Sequence, residues 1–138
     1  MRVLLVNPYI HDFAAFDLWS KPLGILKIAG YLKKLNCEIS LIDCLDRLHP
    51  SLNEFLKGKT PKSSPFGSGQ YYAEEITKPE IFKSIPRKFK RYGYPPELFN
   101  KLLNEIKKPD VILVTSGMTY WYPGVFETIK ILKQKFPG

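Results

Sequence analysis

The sequence predicts an α/β domain built on a doubly wound parallel sheet, and three observations carry that prediction. Two short apolar runs, RVLLVN at 2–7 and EISLID at 38–43, flank a stretch with helical periodicity. A third run, PDVILVTS at 109–116, follows a second helical pattern and precedes another. Short apolar runs alternating with helical stretches are the pattern of parallel strands buried on both faces.

The first run is too short for a helix and is closed by Asn7-Pro8, so it reads as the first strand. From Pro22, the stretch PLGILKIAGYLKKLN sets Leu23, Leu26, Ile28, Ala29 and Leu32 at helical spacings, with Lys27, Lys33 and Lys34 outside. The run at 38–43 is then a second strand, parallel to the first, because a crossover of this length implies a right-handed βαβ unit.

From about 45 to 95 the periodicity fades, in a segment rich in Pro, Gly and Ser such as KGKTPKSSPFGSG. Connections in compact domains have a median of about 4 to 6 residues, so this stretch reads as an insertion that carries function or contacts. Tyr71, Tyr72, Phe82, Phe89, Tyr92, Tyr94 and Phe99 are expected to anchor it, with short helices near 51–56 and 78–81.

Periodicity returns in PPELFNKLLNEIKK, whose apolar face is Leu98, Phe99, Leu102, Leu103 and Ile106. The third strand follows at 111–115. In the last helix, GVFETIKILKQKFPG, the inward set is Val125, Phe126, Ile129, Leu132 and Phe136, with Lys130, Lys133 and Lys135 outward.

A chain of 138 residues fits one domain of the usual size, roughly 100 to 200 residues. With 44% hydrophobic and 25% charged residues, it does not have the composition of a disordered chain. No apolar run approaches the roughly 20 residues of a spanning helix, and MRVLLVNPY breaks too early for a signal-peptide core, so the expected location is cytoplasmic. Cys37 and Cys44, in a C-x6-C spacing, match neither a zinc nor a thioredoxin pattern and are expected to be reduced packing residues.

The formal charge of +8 is concentrated in local runs, notably Lys83, Arg87, Lys88, Lys90 and Arg91. KSIPRKFKR, with Phe89 inside it and Tyr92 after it, has the make-up of a surface that stacks bases and holds phosphates. Such a run is more often a solvated face, and Glu74, Glu75 and Glu80 are near enough in sequence to neutralise it.

In open parallel sheets the ligand crevice lies beyond the carboxyl ends of the strands, where strand order reverses. Here the loops that meet there are NPYIHDFAAFDLWSKPLG and SGMTYWYPG. Asn7, Asp12, Asp17, Ser116, Thr119 and Tyr120 offer hydrogen bonds, and Phe13, Phe16, Trp19, Met118, Trp121 and Tyr122 offer apolar walls, the usual mix of a cofactor site. The aromatic residues of the first loop could equally serve only to cover the sheet end. Neither loop holds the glycine-rich phosphate patterns, which argues against dinucleotides and nucleoside triphosphates bound by those devices. Asp12 and Asp17 are not at a metal-binding spacing with His11, so no mononuclear metal site is expected.

The segments NPYIHDFAAFDLWSKPLGILKIAGYLKK, LIDCLDRLHP and PDVILVTSGMTYWYPGVFETIKILKQKFPG resemble the opening of a cobalamin-binding radical SAM protein. The resemblance implies a flavodoxin-like (Rossmann-like) sheet with strand order 2-1-3 and an insertion between the second and third strands, cut short before the radical SAM domain. It implies that Asn7, Asp12, Phe13, Asp17, Trp19, Leu23, Ser116, Thr119 and Tyr120 approach the corrin. His11 is the one histidine in the first loop and hence the candidate cobalt ligand, although NPYIHDF departs from the D-x-H-x2-G of methyltransferases and mutases. The C-x3-C-x2-C motif is absent, so the [4Fe-4S] cluster and S-adenosylmethionine are expected only in a downstream domain of the same polypeptide. The alternatives are an interaction domain that has lost the cofactor and nucleic-acid contact through the basic insertion. An apolar third strand left at a sheet edge is expected to recruit a partner strand, and a homodimer is the expected result.

Overall fold

The structure, a computed structural model, describes residues 1–137. In chain order the elements are β1 (Arg2–Asn7), β2 (Ile10–Asp12), β3 (Phe16–Asp17), α1 (Leu23–Lys34), β4 (Glu38–Asp43) and α2 (Pro50–Phe55). They continue as β5 (Gly69–Gln70), β6 (Ala73–Glu75), β7 (Lys90–Tyr92), α3 (Pro96–Glu105), β8 (Val111–Val114) and α4 (Tyr122–Lys135). Single 3-10 turns occupy Glu80–Phe82 and Thr119–Trp121.

The fold is mixed α/β around a parallel three-stranded sheet in the order β4-β1-β8. β1 is the central strand, in register with β4 from Arg2↔Glu38 to Asn7↔Asp43 and with β8 from Val3↔Val111 to Val6↔Val114. Hence Val3, Leu4, Leu5 and Val6 are all buried, alternating between two cores. Leu4 and Val6 pack with Ile42, Leu98, Phe99, Leu103 and Leu132 under α3 and α4, while Val3 and Leu5 pack with Ile25, Ala29 and Leu32 of α1.

α1 stops through local chemistry. Asn36 takes a left-handed φ of 55°, the Cys37 N–H donates to Leu32 O, and the Asn36 N–H donates to Lys33 O. That pair of bonds is a Schellman ending, which satisfies carbonyls the helix leaves open and turns the chain into β4. α2 begins on Pro50, with His49 Nδ1 accepting from the Ser51 N–H at 3.2 Å. Cys37 and Cys44 are free thiols, and Cys44 is buried.

Two helix faces differ from the sequence expectation. On α1 the buried residue is Ile25, flanked by the half-buried Ala29 and Leu32, whereas Leu23, Leu26 and Ile28 are exposed. On α4 the buried residues are Gly124, Thr128 and Leu132, and Phe126 is 63% exposed. The cause on α4 is a close approach: a Cβ on Gly124 would lie 2.3 Å from the Tyr9 carbonyl oxygen. The helix therefore presses its small residues, not its large ones, onto the chain leaving β1.

The segment from 45 to 95 is ordered against the loop that follows β1. β7 pairs antiparallel with β2 on one edge and β6 on the other, from Ile10↔Tyr92 to Asp12↔Lys90 and from Ala73↔Tyr92 to Glu75↔Lys90. β3 pairs with β5 in a second small ribbon. Of the seven aromatics expected to anchor it, Tyr71, Phe89, Tyr92, Tyr94 and Phe99 are buried, whereas Tyr72 and Phe82 are half-buried. Among the described residues no helix is long and apolar enough to cross a membrane.

Gly124→Ala should lower unfolding free energy by about 1–3 kcal/mol, the range for overpacking a filled core. A urea melt checks it, and an unchanged midpoint would mean that α4 does not bear on Tyr9 as closely as described.

Candidate functional site

A cleft of about 240 Å³ opens at the carboxyl end of β1, between the loops after β1 and β8. Asn7 and Tyr9 come from the chain leaving β1, Phe16 from β3, Lys21 and Pro22 from the entry to α1, and Met118 and Trp121 from the loop before α4. Tyr71 of the 45–95 segment closes one wall. α1 and α4 both begin beside the cleft, so the positive ends of their dipoles add to the Lys21 charge there.

At the strand ends, Asn7 Nδ2 donates to Asp43 Oδ1 at 2.7 Å, and the Leu45 N–H donates to the same oxygen at 3.0 Å. Burial raises the Asp43 pKa above the ordinary aspartate range, against the opposing pull of those two bonds and of Lys21.

Of the nine residues expected to approach a cofactor, Asn7 lines this cleft. Trp19, Leu23, Thr119 and Tyr120 are exposed beside it, being chain neighbours of lining residues, and Tyr120 packs edge-on against Trp121 at 5.8 Å. Ser116 is exposed, its hydroxyl donating to Met118 O at 3.4 Å. The remaining three turn inward. Asp12 Oδ2 accepts from Trp121 Nε1 at 2.9 Å, which fixes the indole that walls the cleft. Phe13 packs edge-on against Phe82 and Phe89, with Lys78 and Arg87 over its ring. Asp17 is buried, and its Oδ2 accepts from Arg47 Nε at 2.9 Å.

The Arg47 guanidinium also donates to Ser63 Oγ and to the Gly67 carbonyl, so one buried cation ties β3 to the segment around residues 63–67. Asp17 Oδ1 has no partner within the protein. Nothing in the local sequence marks Arg47 as the partner of Asp17, which lies 30 positions away.

His11 is committed elsewhere. Its Nε2 lies 2.6 Å from Glu127 Oε2 of α4, and its side chain is only 10% exposed. Glu127 Oε1 accepts from Arg91 at 2.7 Å, and Arg91 also bonds Glu74 and lies over the Tyr9 ring. Burial by itself pushes the Glu127 carboxyl up, but the bond from His11 and the charge of Arg91 outweigh it, and its pKa is lowered.

Most of the basic run is likewise spent within the chain. Lys83 pairs with Glu80, Lys88 with Glu75, and Arg91 with Glu74, while Lys78 and Arg87 face Phe13. The three glutamates flagged as neighbours in sequence are the actual partners. Among the described residues no group of three or more His, Cys, Asp or Glu side chains is placed to hold a metal.

No protein-family model, curated protein or solved structure matches this chain.

Arg47→Ala leaves the Asp17 carboxylate buried without its cation, and should destabilise the fold by about 3–5 kcal/mol, or open the β3–β5 ribbon locally. Chemical denaturation and limited proteolysis between Pro61 and Gly69 would read this, and wild-type behaviour in both would exclude the clasp as a stabilising element.

A folded-state pKa below the unfolded one means that Glu127 stabilises above the ordinary glutamate range, about pH 4.3, and that this is lost as pH falls through the lowered value. The stability gap between wild type and Glu127→Gln should therefore shrink on acidification from about pH 7 toward pH 3. A gap independent of pH would assign its source to packing.

Proposed function

We propose that this chain belongs to a flavodoxin-like ligand-binding domain, in which the order of β4, β1 and β8 reads as strands 2-1-3 with an insertion over residues 45–95. The ligand lies against the carboxyl ends of these strands. Cobalamin, presented to a radical SAM barrel of the same polypeptide, is the cofactor that the resemblance of the sequence implies.

The observation that carries this reading is the position of the cleft, at the switch point between β1 and β8, with large apolar side chains exposed beside it. Phe16, Trp19, Leu23, Met118 and Tyr120 are each between 48% and 65% exposed. Monomeric proteins rarely leave apolar groups clustered this way except where they bind something.

The cleft does not enclose a corrin. Its 240 Å³ is below the roughly 300–1,000 Å³ of pockets that bury a drug-sized ligand. At its mouth, Trp19, Met118, Tyr120, Lys21 and Asn7 are the residues that would hold a corrin. His11 is held by Glu127 and offers no lower ligand from that nitrogen. Cobalamin, when bound, would supply methyl-transfer or radical chemistry; the work assigned to this chain is to position the ring and exclude water from one face.

A protein-interaction role without a cofactor is the second reading. It is favoured by the apolar flank of α1 on which Ile28, Tyr31 and Leu35 are exposed.

Titration with hydroxocobalamin, followed through the corrin absorption bands, separates the two. The first reading expects a saturable spectral change, weakened roughly tenfold by replacing Trp19 and Tyr120 with alanine, since each aromatic contact is worth about 0.5–1.5 kcal/mol. An unchanged spectrum up to about 1 mM with the fold intact rejects it in favour of the second.

A further inference from the structure

Lys90 is the one cation of the basic run at 83–91 with neither an ion pair nor an aromatic ring beside it among the described residues. It stands in β7 directly opposite Asp12 of β2 and Glu75 of β6, on a face the three strands share. Both carboxylates are engaged elsewhere. Asp12 accepts from the Phe13 N–H at 2.6 Å and from Trp121 Nε1 at 2.9 Å, and Glu75 meets Lys88 at 2.8 Å. Lys90 is half-buried all the same. A partly desolvated ammonium without a counter-charge is destabilising, and an anion from outside would relieve it.

Lys90 lines a groove of about 660 Å³ that opens between the β3–β5 ribbon and the sheet of β2, β7 and β6. The lining holds a second lysine, the exposed Lys59, also without an ion pair, and no carboxylate. Phe16 and Gln70 are opposed across the β3–β5 ribbon, so an exposed ring and an exposed side-chain amide stand side by side on one face, and both line the groove.

These groups together fit one kind of ligand. An exposed aromatic face stacks on a planar base, and an amide offers both a donor and an acceptor to the edge of a heterocycle. Two unpaired lysines suit a phosphate. The volume falls within the roughly 300–1,000 Å³ of small-molecule pockets. We propose that this groove binds a nucleoside monophosphate, with its base on Phe16 beside the Gln70 amide and its phosphate held by Lys90 and Lys59.

The absence of a glycine-rich loop is no obstacle, because a single phosphate is held here by side chains and not by a cradle of backbone N–H groups. Ala15, Phe16 and Tyr71 also line the cleft at the strand ends and form the boundary common to both spaces. The proposal does not depend on what that cleft holds. A free nucleotide and one unit of a single strand present the same chemistry to the groove, and the test separates them.

Calorimetric titration of the whole chain compares adenosine monophosphate with adenosine, inorganic phosphate and a short oligoadenylate. The monophosphate should bind roughly tenfold more tightly than adenosine or phosphate alone, and its margin over adenosine should shrink as salt is raised. Lys90→Gln should weaken the monophosphate roughly tenfold and leave adenosine unchanged. Lys59→Gln, at an exposed position where folding is not at stake, should weaken it by a few-fold. Gln70→Ala should weaken it without altering the salt dependence. Tighter binding of the oligoadenylate per nucleotide would make the ligand a strand, and equal or weaker binding a free nucleotide. The proposal is overturned if the monophosphate shows no binding up to about 1 mM, if phosphate alone binds as tightly, or if neither lysine variant weakens it.

Discussion

Glu127 joins three stretches of chain that are far apart in sequence. One of its oxygens engages His11 of β2 and the other accepts from Arg91 of β7, while Arg91 also reaches Glu74 of β6 and lies over Tyr9. Taking charges out of water costs several kcal/mol per ion, so such a group is tolerable only where each member is matched. Here both glutamates meet the same guanidinium, and the second oxygen of Glu127 meets the imidazole. α4 is thereby fastened to the small sheet, and the small sheet to the strand end that it covers.

The candidate cleft depends on that fastening. β2 follows closely on β1, so pairing β7 onto β2 places the 45–95 segment over the carboxyl end of the parallel sheet. Tyr71 then becomes a wall of the cleft, and Trp121, held by Asp12, becomes another. Arg47 repeats the arrangement on a smaller scale, reaching from the turns after β4 to Asp17 of β3 and to Ser63 and Gly67. Of the cations that look in sequence like a surface for nucleic acid, Arg91 is consumed in these internal ties, while Lys83 and Lys88 meet Glu80 and Glu75 in exposed pairs.

The parallel strands and their helices were legible because each is specified locally: an apolar run of fixed length, helical periodicity, a proline at a helix start. The pairing of β2 with β7 was not, since Ile10–Asp12 and Lys90–Tyr92 are each three residues long and acquire their structure only from one another. Asp12 and Asp17 read as free hydrogen-bonding groups for the same reason. Their partners, Trp121 and Arg47, lie at sequence separations of 109 and 30, and no local pattern connects them.

The misread helix faces carry more information than the correct ones. Periodicity identifies residues whose burial would be favourable, and on α1 and α4 it picked out Leu23, Leu26, Ile28 and Phe126, which are exposed in this chain. Burying a side chain of that size is worth about 1.5–3 kcal/mol, so each exposed one is stabilisation that the fold leaves unused. Leu23 lies where α1 enters beside the cleft, and Phe126 lies one turn before Ile129 on the flank that borders the open edge of β8. Departures of structure from local pattern are expected to concentrate where a protein meets something else. In this chain Leu23 falls at the mouth of the crevice, Leu26 and Ile28 lie further along α1, and Phe126 lies on α4 beside β8.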